Sequence, residues 1–435
     1  MGLPQTARVE MQFDASFTID SWVSFSLRQT FTDPLGEFHF RCEPPRDQIA
    51  TYNKRLIKGE LVALFANGAP QANMLISSVK RSLNAQSGVT YDITCKSVLQ
   101  TPYEGAVDPR LTLNAQTDVP VTTAVLQALA PYGFSSIIGD TSASANAISG
   151  KPIGNRTVNI VPVAALKHQD CQAQEGESAY QFASKIFSRF GCALRVDVYG
   201  TLMVSAPDYD QEAAYTLAAS FSQSVPPNSN LMLNVEDHST NDGQFSEVRV
   251  RGQRNNASTS VAEPDAAASA LSDAQLVALA PSYNQPALAA LLATRAAERA
   301  AKKQPNPQPL DPSLSASALP VRSRYRAIAQ ASYKPKIIKD KNSRDTQAAT
   351  NLAKLALTLP AVNAYKLTCE VDGIVSATGR VWQVDTIAHV YCEQFDIDDE
   401  MWILEVTLEQ DAQGGQRAKL ALIPKGALVL GDLPT

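Results

Sequence analysis

GRVWQVDTIAHVYCEQFDIDDEMWILEVTLEQDAQGGQRAKLAL, the stretch Gly379–Leu422, decides the fold class of this chain. Apolar and polar residues alternate along most of it, which is the period of a half-buried β-strand. Gly414 and Gly415 can supply the positive φ angles of a tight hairpin turn. The acidic cluster before Met401 predicts a polar turn. The stretch therefore predicts a small antiparallel sheet or barrel.

The N-terminal part of the chain shows the same pattern. Alternation recurs in Phe17–Leu27 and in Glu37–Arg41, and the turn sequence Asp33–Gly36 lies between them. Asn67–Gly68 is the strongest short hairpin signal in this part. These short strands and tight turns predict a first β-barrel domain over residues 1–104.

The middle of the chain changes to a mixed pattern. Apolar residues at helical spacing predict one helix from about Val121 and another over Glu177–Phe190, and a hairpin is predicted around Gly200. Residues 105–218 are therefore predicted to be an α+β helix-and-hairpin domain.

The remaining segments predict a second barrel and an insertion. Residues 219–253 and 319–435 are predicted to form a second β-barrel domain, with a helix over Asp345–Leu357. Residues 254–318 are rich in alanine and proline, which predicts a peripheral insertion. The fold class expected is α+β and mainly β, with two small antiparallel β-barrel domains and α+β domains between them.

Composition limits the classes of function. A net charge of −5 and a pI near 5.5 argue against a general nucleic-acid binder. There is no apolar run of about 20 residues, which argues against a membrane span, and the N-terminus lacks the pattern of a signal peptide. Six cysteines lie far apart without C-x-x-C spacing, so we expect reduced, mostly buried thiols of an intracellular chain.

Two clusters of side chains are candidates for metal binding or acid–base chemistry. The first is the acidic cluster, formed by Asp396, Asp398, Asp399 and Glu400. The second resembles a Cys–His pair and consists of His168, Asp170 and Cys171. The first lacks the central glycine of a calcium loop, which favours a solvated turn. The second lacks further ligands or an orienting residue, which favours a structural role. We therefore expect no catalytic residue, metal site or cofactor.

Three further groups of residues have two interpretations each. The tryptophans could form a sugar-binding face, although their strand setting favours barrel core. A basic run could contact DNA, although a surface face or subunit contact is favoured. His39 and His389 fall in strand patterns and are expected to be partly buried. The tryptophans are Trp22, Trp382 and Trp402. The basic run consists of Lys334, Lys336, Lys339, Lys341 and Arg344.

The order of these segments resembles the tail or baseplate hub proteins of contractile-tailed phages, as in phage Mu and the T-even phages, and the equivalent part of type VI secretion spikes. The resemblance rests on Lys58–Val79 with its Asn-Gly turn, on Tyr91–Ser97, on Glu175–Ser178 followed by the Gly200 hairpin, and on Phe395–Leu422. The alanine- and proline-rich insertion departs from the pattern.

The resemblance implies a structural protein that is not an enzyme. Such hubs are homotrimers in which two barrels alternate around a ring, with a pseudo-six-fold face toward the tail tube and a three-fold face toward the spike. The implied partners are the tail tube protein, the spike protein and other baseplate proteins, with transient passage of DNA through the lumen. The implied location is the virion tail baseplate, after synthesis in the bacterial host cytoplasm.

The strand after the acidic cluster suggests where subunits meet. Strict alternation places Met401 and Ile403 on one face, and Trp402, Leu404 and Val406 on the other. Both faces are apolar up to residue 404, so one can form core while the other meets a neighbouring subunit. We therefore predict a subunit interface at Met401, Ile403, Leu64 and Phe65.

Two other functions remain open at the level of sequence. One is a tail-associated peptidoglycan hydrolase, and the other is a glycan-binding protein at the tail tip that uses the tryptophan-bearing barrels. Clearing of cell-wall substrate would indicate the first, and binding to a glycan array would indicate the second.

Overall fold

A computed structural model describes most of the chain, and its strands far outnumber its helices. The described residues are 7–14, 17–84, 88–108, 119–139, 167–168, 173, 176–189, 192–220, 225–240, 245, 247–252, 313–315, 335–340, 346–411 and 415–428. The mainly β fold predicted from the sequence is confirmed.

The strands follow one another in three groups. The first group is β1 Val9–Asp14, β2 Phe17–Ile19, β3 Ser24–Thr30, β4 Glu37–Cys42, β5 Leu61–Ala66, β6 Ala69–Asn84 and β7 Gly88–Ser97. The second is β8 Val119–Pro120, β9 Ile137–Gly139, β10 Lys167–His168, β11 Ala193–Val196 and β12 Leu202–Ser205. The third is β13 Ala213–Ala219, β14 Asn230–Ser239, β15 Glu247–Gly252, β16 Ser313–Ser315, β17 Pro335–Asp340, β18 Tyr365–Asp372, β19 Ile387–Cys392, β20 Ile397–Asp411 and β21 Gly415–Pro424.

Five α-helices accompany these strands in the described residues. They are α1 Ile49–Arg55, α2 Gln100–Glu104, α3 Val121–Leu129, α4 Ala179–Arg189 and α5 Thr346–Ala364. None of them is long and apolar enough to cross a membrane.

Strands β1 to β7 form the N-terminal module. They pair in the order β3-β4-β7-β6-β5-β1-β2, which leaves β2 at the edge. Asn67 and Gly68 have φ angles of 52° and 74° and join β5 to β6, as the Asn-Gly signal predicts. In β4, Phe38 and Phe40 are buried while His39 between them is exposed. This alternation gives the module one apolar and one polar face.

The C-terminal module is a closed barrel of six strands. Its order is β13-β14-β18-β21-β20-β19, and β19 closes the ring by pairing with both β20 and β13. Trp382 and Tyr215 lie in its interior with their ring centroids 4.6 Å apart. One strand differs from the expected antiparallel pairing, because β13 runs parallel to both of its neighbours.

Strand β20 joins the two modules. One side of it pairs with β21 from Met401 to Asp411, while the other side pairs first with β19 and then, from Glu405, with β3. A bulge between Ile403 and Glu405 marks this change of partner. The bulge adds one residue to β20. The side chains after it therefore point to the opposite side of the sheet from the one that strict alternation would give. Val406 therefore shares a core with Ile403, and the prediction that it faces the same way as Leu404 is wrong.

The α+β module has its own core. Helices α3 and α4 contact each other beside the three-stranded sheet β11-β12-β9, with Val125, Phe182 and Leu202 fully buried. Gly133, at φ 90°, ends the turn that follows α3. The predicted helices and hairpin are confirmed, with α4 observed over Ala179–Arg189 and the hairpin formed by β11 and β12. Strand β13 belongs to the barrel, although the predicted α+β region reaches residue 218.

A smaller sheet packs under α5. Its order is β16-β15-β17, and Val248 and Val250 meet Ala349 and Ala353 of the helix. The predicted helix is confirmed from Thr346 and continues to residue 364. Of the predicted insertion, residues 313–315 pair with β15, and residues 254–312 and 316–318 lie outside the described part.

The described cysteines are reduced and buried, as expected. Cys42, Cys95, Cys192, Cys369 and Cys392 have no disulfide partner. Burial raises the pKa of the Cys42, Cys192 and Cys369 thiols to about 12. These thiols therefore stay protonated at neutral pH, which makes them poor nucleophiles.

We predict that Leu404→Ala lowers the free energy of unfolding by about 2–5 kcal/mol, because Leu404 is 2% exposed and packs in a cluster with Phe31 and Trp402. Thr407→Ala, three residues along the same strand and half-buried, should change it by about 1 kcal/mol or less. Urea unfolding of both variants measures the difference. Equal effects would contradict the placement of Leu404 in a packed core.

Candidate assembly surfaces

The outer side of eight paired strands forms one continuous surface. They lie in the order β14-β18-β21-β20-β3-β4-β7-β6 and span both β modules. Their apolar side chains point into the cores, and the polar side chains that alternate with them point outward. We call this outer surface the polar face.

The polar face carries charges of both signs, and many of them are paired. Four ion pairs lie on it, with distances between 2.7 and 3.9 Å: Arg28–Glu405, Arg417–Glu370, Lys419–Glu409 and Arg41–Asp92. His39 Nε2 also lies 3.1 Å from a Glu37 carboxylate oxygen. The hydrogen bond to Glu405 raises the pKa of the Arg28 guanidinium above its usual value. Because opposite charges alternate, the face does not present a field of one sign.

A buried polar cluster joins the three modules behind this surface. Asp385 Oδ2 lies 3.3 Å from Arg195 Nη2, and its Oδ1 accepts a 3.0 Å hydrogen bond from the Trp402 indole. The Arg195 guanidinium also stacks 4.2 Å from the centre of the Phe31 ring. Arg195 comes from the α+β module, Phe31 from the N-terminal module and Asp385 from the barrel. We call these residues the junction cluster.

The backbone around Asp385 is fixed as tightly as its side chain. Asp385 has a φ of 63°, which is uncommon outside glycine but tolerated by aspartate. Its N–H donates to the Ile403 carbonyl at 2.9 Å, and its own carbonyl accepts from the Gln211 amide at 2.9 Å. The junction cluster therefore holds the strand that carries the bulge.

The residues predicted at a subunit interface lie mostly inside the single chain. Met401, Ile403 and Leu64 are at most 1% exposed and pack in the main core. Their burial needs no second subunit. Phe65 is half-buried on β5 and keeps part of its ring at the surface.

The acidic cluster is only partly a turn. Asp396 lies in a left-handed conformation after the turn Glu393–Phe395, as expected of a turn residue. Asp398 to Glu400 belong to β20, because that strand pairs with β19 from Ile397 onward. Asp398 contacts His389 at 3.0 Å, and Glu400 contacts Lys425 at 2.9 Å. Among the described residues, no group of three His, Cys, Asp or Glu could hold a metal ion.

The tryptophans and histidines take different positions. Trp382 and Trp402 are fully buried, as the strand pattern favours, and Trp22 is half-buried against Phe38 and Phe40. His389 is half-buried as expected, while the His39 side chain is 53% exposed on the polar face.

Several candidates fall outside the described residues. They are Asp170, Cys171, Lys334, Lys341 and Arg344. His168 is described only as part of β10. Lys336 and Lys339 lie on β17, where the Lys336 ammonium sits 4.6 Å from the centre of the Phe245 ring.

Sequence reasoning missed the two features that matter most here. Alternation indicates most of the polar face, for example along β4 and β7, but not along β14 or the end of β6, where successive residues are exposed. The junction cluster offered no local signal, because Arg195, Asp385 and Phe31 are far apart in the chain and meet only through the fold.

The fold matches two solved tail proteins along nearly the whole chain. One is the tail protein from Neisseria meningitidis MC58, with a TM-score of 0.65, 14% identity and 99% of each chain covered. The other is the 43 kDa tail protein of prophage MuSo2 from Shewanella oneidensis, with a TM-score of 0.64, 13% identity, and 97% of this chain and 100% of that one covered. This chain has the fold of phage tail proteins. The tail-protein fold that the resemblance implied is confirmed, whereas no protein-family model and no curated protein matches the sequence.

We predict that Asp385→Asn lowers the free energy of unfolding by about 3–5 kcal/mol, because the buried Arg195 guanidinium would lose the negative charge of the carboxylate that lies 3.3 Å away. Asparagine keeps the tolerance for positive φ and the acceptor for Trp402. The matched control is Glu405→Gln, which removes the carboxylate of the more exposed pair with Arg28 and should cost about 1 kcal/mol or less. Denaturant unfolding of both variants tests this, and equal losses would count against the junction cluster.

We predict that changing Asp398, Asp399 and Glu400 to Asn or Gln alters stability by about 0.5 kcal/mol or less per residue. Their side chains lie at the surface, and the His389 and Lys425 contacts are partly exposed. Thermal unfolding measures the change. A loss of several degrees from one substitution would show that the acidic cluster does more than meet solvent.

Proposed function

We propose that this chain is a structural protein of a phage tail, at the hub of the baseplate. Three copies form a ring that adapts the hexameric tail tube to the trimeric spike and lets DNA pass. The match of nearly the whole chain to two tail proteins supports the tail role. The resemblance in the sequence supports the hub, the contractile tail and the partners: tail tube, spike and other baseplate proteins.

The polar face is the observation that carries the ring and its channel. A sheet that runs unbroken through two β modules can form one long arc of a wall. Its outer side is polar along the whole arc, so it can face water in a lumen. Two β modules per copy give six in a trimer, which suits a hexameric partner on one side and a trimeric partner on the other.

The charges of the polar face suit passage of DNA without capture. Each cationic side chain that contacts a phosphate adds salt-dependent affinity. Arg28, Arg417 and Lys419 each have an acidic partner within 3 Å, which reduces their attraction for phosphate. A wall of this kind would hold no stretch of DNA tightly.

The subunit interface keeps one of its four predicted residues at the surface. Phe65 lies on the outer side of β5 together with Leu61, which is 50% exposed. We propose that these two side chains meet another subunit or a baseplate protein. Leu64, on the same strand, would then support the interface from the core side, while Met401 and Ile403 lie in the barrel on β20.

The two alternative functions gain less support. A glycan-binding face built on tryptophans loses Trp382 and Trp402, which are fully buried. A peptidoglycan hydrolase would clear a cell-wall zymogram at the band of the pure protein, while a structural hub leaves the gel unchanged.

We predict a homotrimer, formed alone or once spike protein is added. Three copies give a mass of about 140 kDa, three times the 46.8 kDa of one chain. Native mass spectrometry of the full chain, with and without spike protein, measures it. Monomer alone under both conditions would overturn the hub proposal.

A further inference from the structure

The polar face ends on one side at an open strand edge. Strand β5 pairs with β6 only from Ala69 to Leu75, whereas β7 continues along β6 to Asn84. From Ser78 onward, no strand among the described residues lies beside β6 on the side away from β7. Leu83 in this part is 81% exposed. Long open edges with exposed apolar side chains are a hazard unless another strand covers them.

The other end of the polar face is also open. Strand β13 pairs with β14 only at Asn230 and Leu231, and the rest of β14 has a described neighbour only on the β18 side. Residues 233–239 are exposed apart from the half-buried Val235. Within the described residues, each end of this eight-stranded sheet therefore has a strand edge that is only partly paired.

The directions of the two edge strands suit each other. Every pairing from β14 through to β6 is antiparallel, so β14 and β6, seven steps apart, run in opposite directions. Rotation from one copy to the next about a ring axis does not change whether a strand runs up or down along that axis. In a head-to-tail ring, β6 of one copy would therefore lie antiparallel to β14 of the next, with the polar faces continuous.

The charges of the two edges are opposite. The open part of β6 carries Lys80 and Arg81, and the open part of β14 carries Glu236 and Asp237. Lys80 and Glu236 point to the polar side, since they pair with Asp92 and Thr368. Arg81 and Asp237 point to the core side, opposite Tyr91 and Leu367 on the neighbouring strands. There the Arg81 guanidinium also donates to the Asn53 and Leu56 carbonyls.

We propose that the open edge of β6 in one copy pairs antiparallel with the open edge of β14 in a second copy. This rests on the proposed ring and names the strands that close it. We choose the register that places Arg81 opposite Asp237 and Leu83 opposite Val235, because it pairs opposite charges and apolar side chains on the core side. Opposite charges and apolar pairs across strands both stabilise a sheet. The same register places Lys80 diagonally across from Glu236. It also covers part of the exposed Leu83 side chain with Val235 of the next copy.

Cysteine cross-linking of the full chain tests the register. Ser82 and Glu236 would be directly opposite, with Cα atoms about 4.5–5.5 Å apart, which a disulfide can span. We expect Ser82→Cys with Glu236→Cys to give covalent dimers and trimers after mild oxidation, reversed by reductant. The matched control is Ser78→Cys with Glu236→Cys, because Ser78 is on the same strand and face but about 13 Å further along. It should remain monomeric on a denaturing gel.

Charge exchange gives a second measurement that needs no cross-link. Lys80→Glu alone and Glu236→Lys alone should each shift the ring toward monomer in native mass spectrometry. The two substitutions together should restore it, because the attraction is reinstated with its sign reversed.

The outcomes separate the two proposals. Trimers without a cross-link at Ser82 and Glu236, or cross-links as strong in the control pair, would overturn the edge pairing and leave the hub proposal standing. Trimers that persist unchanged in both Lys80→Glu and Glu236→Lys would also overturn the edge pairing and leave the hub proposal standing. Monomer alone, even with spike protein present, would overturn the hub proposal itself.

Discussion

The change of partner along β20 is the constraint on which the rest of the structure depends. One edge of this strand serves β19 up to Trp402 and β3 from Glu405, so the same backbone closes the barrel and holds the N-terminal module. The extra residue at the bulge, Leu404, gives its carbonyl to the Phe31 N–H at 2.9 Å. Without that satisfied bulge, the polar face would break into two separate surfaces.

Two kinds of interaction hold this joint, and they differ in character. The junction cluster is buried and fixes the geometry of three modules at one point, because an unpaired charge there would be costly. The pair between Arg28 and Glu405 lies at the surface and contributes little to stability. The junction cluster behind the sheet therefore makes the joint rigid. Charged residues on the outer side can change with little effect on stability.

Much of the fold follows from local sequence. Alternation predicted the strands, and Asn67–Gly68 predicted a turn whose φ angles match its chemistry. The parallel placement of β13 could not be predicted, since the same alternation suits either direction. The bulge at Leu404 was also hidden, because an inserted residue looks like any other member of an apolar run. Of the candidate surfaces, alternation indicated most of the polar face, while the junction cluster depends on contacts that no local pattern encodes.

The joint also sets an order of events during synthesis. The Arg28–Glu405 contact spans 377 residues. Strand β3 therefore stays unpaired on its β20 side while the ribosome adds those residues, which takes roughly 20–75 s at ordinary elongation rates. During that time the nascent N-terminal module exposes an unpaired edge that invites wrong pairing. A chain truncated before β20 keeps this edge permanently and lacks a closed barrel. Completion of the last two strands is thus the step that separates a finished subunit from a target for proteases and chaperones.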